Sequence, residues 1–374
     1  MNKKISLAEE IGAHVEEEIP QCILCNRCID ACPVTKKGFS IEELNIATKP
    51  ETSISDGIKS FVFSCVQCGR CAPVCPKGLH RDEMMLVCKY KLRKEKPYGY
   101  KRYLAIRGPD LGPIAQTAQG LYVAMKMQKA SDLARHMETV PSSQESVLFY
   151  PGCYIYSFET IRRTKRLLDH VGTPYVVLGG LTTCCGVPQL LQGEFDLADH
   201  CMEALHEKIQ KCNPSIILTG CAECLEALLR IKKRYHGTFE VYSVAEYLMQ
   251  HVEKFPALRI RDAVTFHDSC RLTRRYKRDD ATRKAIIRFS TLVEMQNIRD
   301  QALCCYHWNY DYDSANTKNR IARLAEAEKY AKTMVCDCLT CYEEYSKIKS
   351  EIEVIDILQL FEEALKKENL PKSS

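Results

Sequence analysis

From Val147 onward the chain alternates short runs of β-branched and aromatic residues with longer polar stretches whose apolar residues recur at helical spacing. Val147-Leu-Phe-Tyr150, Tyr175-Val-Val-Leu178 and residues 215–219 read as one set of strands, and Val264-Thr-Phe-His267, residues 291–294 and Thr333-Met-Val335 read as a second. The pattern therefore predicts two tandem α/β modules, each with a small, mostly parallel sheet. Glu-rich and Lys-rich stretches of helical character flank the cysteine-dense front, residues 21–96, and predict a mainly helical domain there. Between these blocks, turns at Pro97-Tyr-Gly99, Gly108-Pro109 and Gly112-Pro113 precede a weakly amphipathic helix expected over 114–137. The expected multidomain layout is 1–96 for the front domain, 97–146 for a linker and helix, and 147–255 and 256–374 for the two modules.

Cysteine spacing sharpens the repeat. Val147-Leu-Phe-Tyr-Pro-Gly-Cys153 matches Val264-Thr-Phe-His-Asp-Ser-Cys270, and the pairs Cys153/Cys270, Cys221/Cys338 and Cys224/Cys341 are each 117 positions apart. Cys184-Cys185 and Cys304-Cys305 are 120 apart, so the second copy gains three residues before its cysteine pair and loses three after it. Each copy places five thiols near strand ends, where α/β folds put their ligands. Adjacent cysteines cannot both bind one tetrahedral metal without strain, but they can bind neighbouring irons of a larger cluster. A structural zinc on four of the five is the other reading.

The front block contains Cys22-x-x-Cys25-x-x-Cys28-x-x-x-Cys32-Pro33 and repeats it as Cys65-x-x-Cys68-x-x-Cys71-x-x-x-Cys75-Pro76. This is the spacing of a ferredoxin with two [4Fe-4S] cubanes, in which the fourth cysteine of each run serves the cluster of the other. One cluster is expected on Cys22, Cys25, Cys28 and Cys75, and the other on Cys65, Cys68, Cys71 and Cys32. Zinc would call for two Cys-x-x-Cys pairs separated by a longer loop.

Composition places this chemistry. With 374 residues and 22 cysteines, the chain is too long for a disulfide-stapled miniature fold, and reduced, metal-binding thiols are the better account. The first nineteen residues carry five Glu and no signal-peptide core, and nowhere are eighteen apolar residues consecutive. The expected location is the cytoplasm, with any membrane contact made through a partner. The net charge of +5 is concentrated in residues 77–107, where ten Lys or Arg face three Asp or Glu. Without aromatic stacking positions or a reader motif this argues against nucleic acid, leaving a solvated helix face or a dock for an acidic partner or membrane surface.

A two-run ferredoxin block followed by two five-Cys repeats resembles the heterodisulfide reductase family, in which the repeat is the CCG domain. The resemblance runs over residues 21–365. It implies a noncubane [4Fe-4S] cluster on Cys153, Cys184, Cys185, Cys221 and Cys224, and a second on Cys270, Cys304, Cys305, Cys338 and Cys341. It further implies a cleft where an anionic disulfide, such as that between coenzyme M and coenzyme B, is reduced to two thiols. No flavin or nicotinamide fingerprint is present, so the electron source is expected in another subunit: a membrane cytochrome b, a flavoprotein or a hydrogenase module. Iron-sulfur subunits of glycolate, lactate, glycerol-3-phosphate and succinate dehydrogenases share the layout and imply a rival role, that of a non-catalytic electron carrier. Retention of both complete five-Cys sets favours catalysis.

One departure stands out. Cys184-Cys185 is followed by Gly186, but Cys304-Cys305 is followed by Tyr306, which implies either a reshaped loop or a second cluster of different type or exposure. His267 and His307 are candidate proton donors to departing thiolates or ordinary structural histidines, and Trp308, the single Trp, suits packing or cluster shielding as well as substrate contact. Cys88, Cys201, Cys212 and Cys336 fall outside every set and are expected to pack, Cys336 being two residues from Cys338. Basic residues follow both leading cysteines: Arg162, Arg163, Lys165 and Arg166 after Cys153, and Arg271, Arg274, Arg275, Lys277 and Arg278 after Cys270. They read as a solvated face or as an anion site for a charged thiol.

Overall fold

The computed structural model describes residues 5–34, 38–95, 108–109, 146–153, 158–307 and 313–368. The helix expected over 114–137 and Trp308 lie outside the described residues.

The front block is built from α1 (Leu7–Glu18), α2 (Arg27–Asp30), α3 (Ile41–Ile46), α4 (Asp56–Ser64) and α5 (Arg81–Glu95), with no strand among the described residues. Ser6 caps α1 and Ser40 caps α3, each in a reciprocal capping box with a Glu three residues on, so the starts of both helices are written locally. Leu7, Ile11 and Val15 form the buried stripe of α1, which packs on α5. Most basic residues of α5 turn inward, and only Lys94 is exposed. Lys89 donates to the carbonyls of Cys65 (2.7 Å) and Leu191 (2.9 Å), Lys91 to that of Ala47 (2.7 Å), and Arg93 to that of Gln192 (3.2 Å). Burial lowers the Lys89 ammonium to about 8. Neither sequence reading of this stretch, solvated face or external dock, describes these three side chains.

The first module runs β1 (Val147–Gly152), α6 (Phe158–His170), β2 (Tyr175–Gly179), α7 (Val187–Leu191), α8 (Phe195–Cys212), β3 (Ile216–Thr219), α9 (Ala222–Arg234), β4 (Glu240–Ser243) and α10 (Val244–Gln250). The second runs β5 (Ala263–His267), a π-helical segment (Cys270–Arg275), α11 (Asp280–Phe289), β6 (Thr291–Leu292), α12 (Asp313–Ala327), β7 (Thr333–Cys336), α13 (Leu339–Ser346), β8 (Glu353–Asp356) and α14 (Ile357–Glu368). Both sheets are fully parallel, in the orders β2-β1-β3-β4 and β6-β5-β7-β8. The strand expected over 291–294 forms only at Thr291–Leu292, and each sheet has a fourth strand that the pattern did not announce. β4 and β8 are four-residue edge strands that begin on an exposed Glu, too short and half-solvated to stand out as an apolar run.

The two modules join by a reciprocal exchange. α6 packs on α14, α11 packs on α10 in the counterpart arrangement, and α10 and α14 also meet each other. Phe149, Leu168, Leu248 and Phe255 of one side share a continuous core with Phe266, Ile286, Phe289 and Phe361 of the other. Arg163 and Arg166 cross this joint to Asp356 and Glu362 (Arg163 Nε to Glu362 at 3.2 Å), so these two of the basic residues after Cys153 serve as an inter-module fastening.

Candidate metal centres

In the front block the chain winds identically through both cysteine runs. Leu24 and Asn26 in the first, and Gln67 and Gly69 in the second, have positive φ at the same two positions after the leading cysteine. These left-handed turns bring successive thiols of a three-residue spacing to one side. Cys22, Cys25, Cys28 and Cys75 line one small cavity together with Arg81. The Cys28 thiol is raised by burial and feels Cys22 and Cys75, whereas Cys71 is pushed well up by burial, then by Asp82, Cys68, Cys65 and Cys32. The fourth cysteine of each run thus stands with the other run. Burial raises Cys22, but hydrogen bonds from Asn45 and the backbone, with the Arg81 guanidinium at 3.6 Å, bring it below its ordinary value.

In both modules the five cysteines of each set gather at the carboxyl edge of the sheet. Cys153 follows β1, Cys184-Cys185 follow β2 and Cys221 follows β3, beside the point where the strand order reverses; Cys270, Cys304-Cys305 and Cys338 stand likewise after β5, β6 and β7. In the first set Cys184 contacts Cys153 and Cys185, and Cys224 contacts Cys185 and Cys221. In the second, Cys304 Sγ lies 3.9 Å from Cys270 Sγ and Cys341 Sγ lies 3.5 Å from Cys305 Sγ, with Cys338 against Cys341. Cys185 and Cys305 are both lowered, each by hydrogen bonds from its adjacent cysteine and from the second cysteine of the Cys-x-x-Cys, while Cys224 and Cys341, which donate, are raised. Gly152 is needed here: a Cβ on it would stand 2.9 Å from Cys224 Sγ, and its φ is +83°.

The two sets meet at one carboxylate. Glu223, 5% exposed, accepts from Thr340 Oγ1 at 3.0 Å and lies 3.1 Å from Cys221 Sγ and 3.9 Å from Cys338 Sγ. Glu223 and Thr340 are themselves 117 positions apart, so equivalent residues of the two copies touch on the axis that relates them. The second set also abuts the front block. Arg274, 5% exposed, donates to the carbonyls of Cys68 (2.6 Å), Asp300 (3.0 Å) and Ala302, and it opposes the burial that raises the Cys68 thiol. Arg274 likewise counteracts the Cys304 contact and burial that raise Cys270.

Tyr306 occupies the same boundary. It is 2% exposed and feels Cys304 of the second set as well as Cys68 and Cys32 of the front block. Its φ is +58°, against +81° at Gly186, so the loop keeps the left-handed turn despite losing the glycine. Gly186 is confined because a Cβ there would lie 2.6 Å from the Ala198 carbonyl. The Tyr306 amide donates to Cys304 Sγ at 3.3 Å, and Arg320 fixes the Cys305 carbonyl at 2.6 Å.

Several sequence expectations change. The arginines after Cys270 are neither a solvated face nor a free anion site. Arg271 pairs with Glu226 at 2.9 Å, Arg275 reaches Asp82 (2.9 Å), Glu83 and Glu226, and Arg278 donates to the Val241 carbonyl at 2.9 Å. Front block, first module and second module meet in this hub. His267 is fully buried, and burial followed by Arg323 and Arg274 holds it well below its usual range, as a neutral ring packed edge-on against Tyr345. His307 pairs with Glu344 at 3.0 Å. Cys201, expected only to pack, contacts Cys184, and Cys336 lies near Cys338 and Cys305; Cys88, raised by burial to about 12, and Cys212 are packing residues. Glu223 and Glu226 went unnoticed in the sequence because nothing marks them beyond their nearness to a cysteine.

The donor set suits an iron-sulfur group. Burial pushes most of these thiols up, so a cationic metal is what would hold them together as thiolates, and five converging sulfurs with an adjacent pair exceed what one tetrahedral zinc takes. Comparison with known proteins agrees with this chemistry. Residues 21–79 match the 4Fe-4S dicluster domain, and 147–228 and 264–344 each match the cysteine-rich domain. An uncharacterized iron-sulfur protein of Methanocaldococcus jannaschii is 26% identical over 59% of this chain and 47% of its own length. A subunit of the dihydromethanophenazine:CoB–CoM heterodisulfide reductase of Methanosarcina mazei is 30% identical over 42% of each chain. A subunit of the fumarate reductase (CoM/CoB) of Methanothermobacter marburgensis is 26% identical over 42% of this chain and 32% of its own. The chain thus spans less than half the length of these relatives. Among the described residues no helix is long and apolar enough to cross a membrane.

Proposed function

Because the chain belongs to the iron-sulfur family that joins a 4Fe-4S dicluster domain to paired cysteine-rich domains, with heterodisulfide reductase subunits among its relatives, we propose that it is the iron-sulfur subunit of a heterodisulfide reductase-like complex and reduces a disulfide to two thiols. Cys22, Cys25, Cys28 and Cys75 would hold one cubane, and Cys65, Cys68, Cys71 and Cys32 the other. Each five-Cys set would hold a further [4Fe-4S] group, of noncubane type. When bound, these groups supply one-electron carriers, and a disulfide requires two electrons and two protons to give two thiols. The observation that carries the reading is the meeting of two complete five-Cys sets on Glu223, which sets two redox sites against one another.

The chain's own residues support this in defined ways. Arg274 ties the second set to the Cys65–Cys71 run through the Cys68 carbonyl, and the buried Tyr306 stands at the same boundary. The hub of Arg271, Arg275 and Glu226 locks the front block to both modules, so the separations between sites stay constant. Cys25 is exposed, and beside it stand Ile23 and Leu24, two of the exposed large apolar residues, where an electron-donating subunit would approach. A membrane cytochrome b, a flavoprotein and a hydrogenase module each fit that role.

The decisive assay gives anaerobically purified protein reduced viologen and a panel of disulfides that includes the coenzyme M–coenzyme B heterodisulfide. Oxidation of viologen by one disulfide is expected, with about sixteen irons per chain for four tetranuclear groups. Cys184→Ser or Cys185→Ser should abolish that activity and leave the front-block signals intact. The rival role, an electron carrier for a flavin-dependent dehydrogenase, gains support from the fumarate reductase relative. It wins if no disulfide oxidises viologen while a co-purifying flavoprotein reduces every cluster.

A further inference from the structure

Away from the thiols, two histidines and two glutamates meet where α1 crosses the loop that follows Cys75. His14 and Glu18 stand four residues apart on one face of α1, and His80 comes five residues after Cys75. His14 Nε2 is 3.3 Å and His80 Nδ1 is 2.6 Å from the same oxygen, Glu18 Oε1. One ligand atom from each of the three lies within 4.8 Å of the other two. We propose that His14, Glu18 and His80 form a binding site for a divalent transition ion of the zinc class, separate from the cysteine centres.

The donor chemistry is that of an open zinc site, two imidazoles and a carboxylate with a position left over for water. Ligand atoms about 2.0–2.2 Å from a tetrahedral ion stand roughly 3.3–3.6 Å apart. The His14–Glu18 edge already has that length, and the His80–Glu18 edge opens by roughly 0.7 Å when the bridging proton gives way to the ion. The second ring nitrogen of His14 is also provided for. Nδ1 lies 2.7 Å from Glu83 Oε2, and Glu83 is anchored by Arg275, so a carboxylate orients the imidazole from behind as it does at protein metal sites. Glu18 is buried and its other oxygen accepts from the His80 amide at 2.7 Å, which fixes the carboxylate plane. His80 is half-exposed and lines a solvent-open cavity of about 250 Å³ with Asp82 and Arg275, leaving room for a water ligand. An ion here fastens the N-terminal helix to the loop that carries Cys75.

The test uses the full chain, purified without oxygen with its clusters in place, equilibrated with one equivalent of zinc chloride and desalted. About one zinc per chain should remain, with a zinc-edge absorption spectrum showing a nitrogen and oxygen shell at about 2.0–2.1 Å and no sulfur. His14→Gln and His80→Gln should each lower zinc retention at least tenfold without changing iron content or the visible spectrum. A sulfur shell near about 2.3 Å would put the zinc among the cysteines and overturn the proposal. So would retention that is equal in wild type and both variants, or a wild-type chain that keeps no zinc.

Discussion

Arg274 offers the sharpest test of how the front block communicates with the paired modules. All of its hydrogen bonds go to main-chain carbonyls, those of Cys68, Asp300 and Ala302, and among the described residues no carboxylate pairs with it. Its positive charge therefore remains uncompensated, buried between the Cys68 and Cys270 thiols. Adding an electron to a cluster on either side makes that side more negative, which Arg274 favours. For two unit charges about 6 Å apart in an effective dielectric constant near 20, the interaction is worth roughly 3 kcal/mol. For a one-electron couple that corresponds to roughly 120 mV. Arg274→Met should thus lower the midpoint potentials of the cluster on the Cys65–Cys71 run and of the Cys270 set by on the order of 100 mV each. Arg274→Lys keeps the charge but loses the flat five-donor guanidinium fork, so it should leave the potentials near their original values while weakening the joint. Dye-mediated redox titration followed by electron paramagnetic resonance reads both couples. If Met and Lys give the same potentials, the charge argument fails and Arg274 is only a fastening.

Tyr306→Gly would restore the glycine that follows Cys184-Cys185, yet it empties a buried site; after about 1–2 kcal/mol returned by the left-handed backbone, a net loss of roughly 2–4 kcal/mol is expected in unfolding measurements. Gly186→Ala should cost a similar amount, about 2–4 kcal/mol, because the new methyl meets the Ala198 carbonyl and φ is unfavourable; unchanged stability would contradict the close approach. Glu226 is a linkage test: burial opposes its ionisation, but Arg271, Arg275 and Arg230 hold it at about 2. Its folded value lies below the unfolded one, so its stabilisation of about 3 kcal/mol is complete above pH about 4.5 and fades as pH falls towards about 2. The stability gap between wild type and Glu226→Gln, followed by denaturant unfolding, should narrow over that window, and a gap independent of pH would refute the assignment. Cys75→Ser should disturb the spectrum of the cluster on Cys22, Cys25 and Cys28; a change confined to the cluster of the Cys65 run would argue against crossed ligation.

The thiol groupings were legible in the sequence because cysteine spacing is a local signal and a repeat displays it twice. The parallel sheets followed from strand runs such as Tyr175-Val-Val-Leu178, whose apolar content survives burial on both faces. What escaped is long-range. Arg271 and Arg275 read as a basic face because their partners Glu226, Asp82 and Glu83 lie tens to hundreds of positions away. Charge alone does not distinguish a guanidinium bound for water from one bound for a distant carboxylate. Tyr306 was conspicuous as a departure, but its placement between two thiol groups depends on how the front block docks, which no periodicity encodes. His14 and His80 lie outside every cysteine motif and are joined only by the fold.

The contact between Glu223 and Thr340 has a consequence for how such a chain evolves. In an assembly of two identical subunits, a residue on the symmetry axis meets its own copy, and a carboxylate there would face a carboxylate. Joining both halves in one polypeptide removes that constraint: the axis here holds an acceptor on one side and a donor on the other. The same freedom lets Tyr306 replace glycine where the second half abuts the cysteine runs of the front block, while Gly186 persists in the half whose own helix α8 crowds it. Fusion has turned an interchangeable pair into a left hand and a right hand, each able to specialise without dragging the other along.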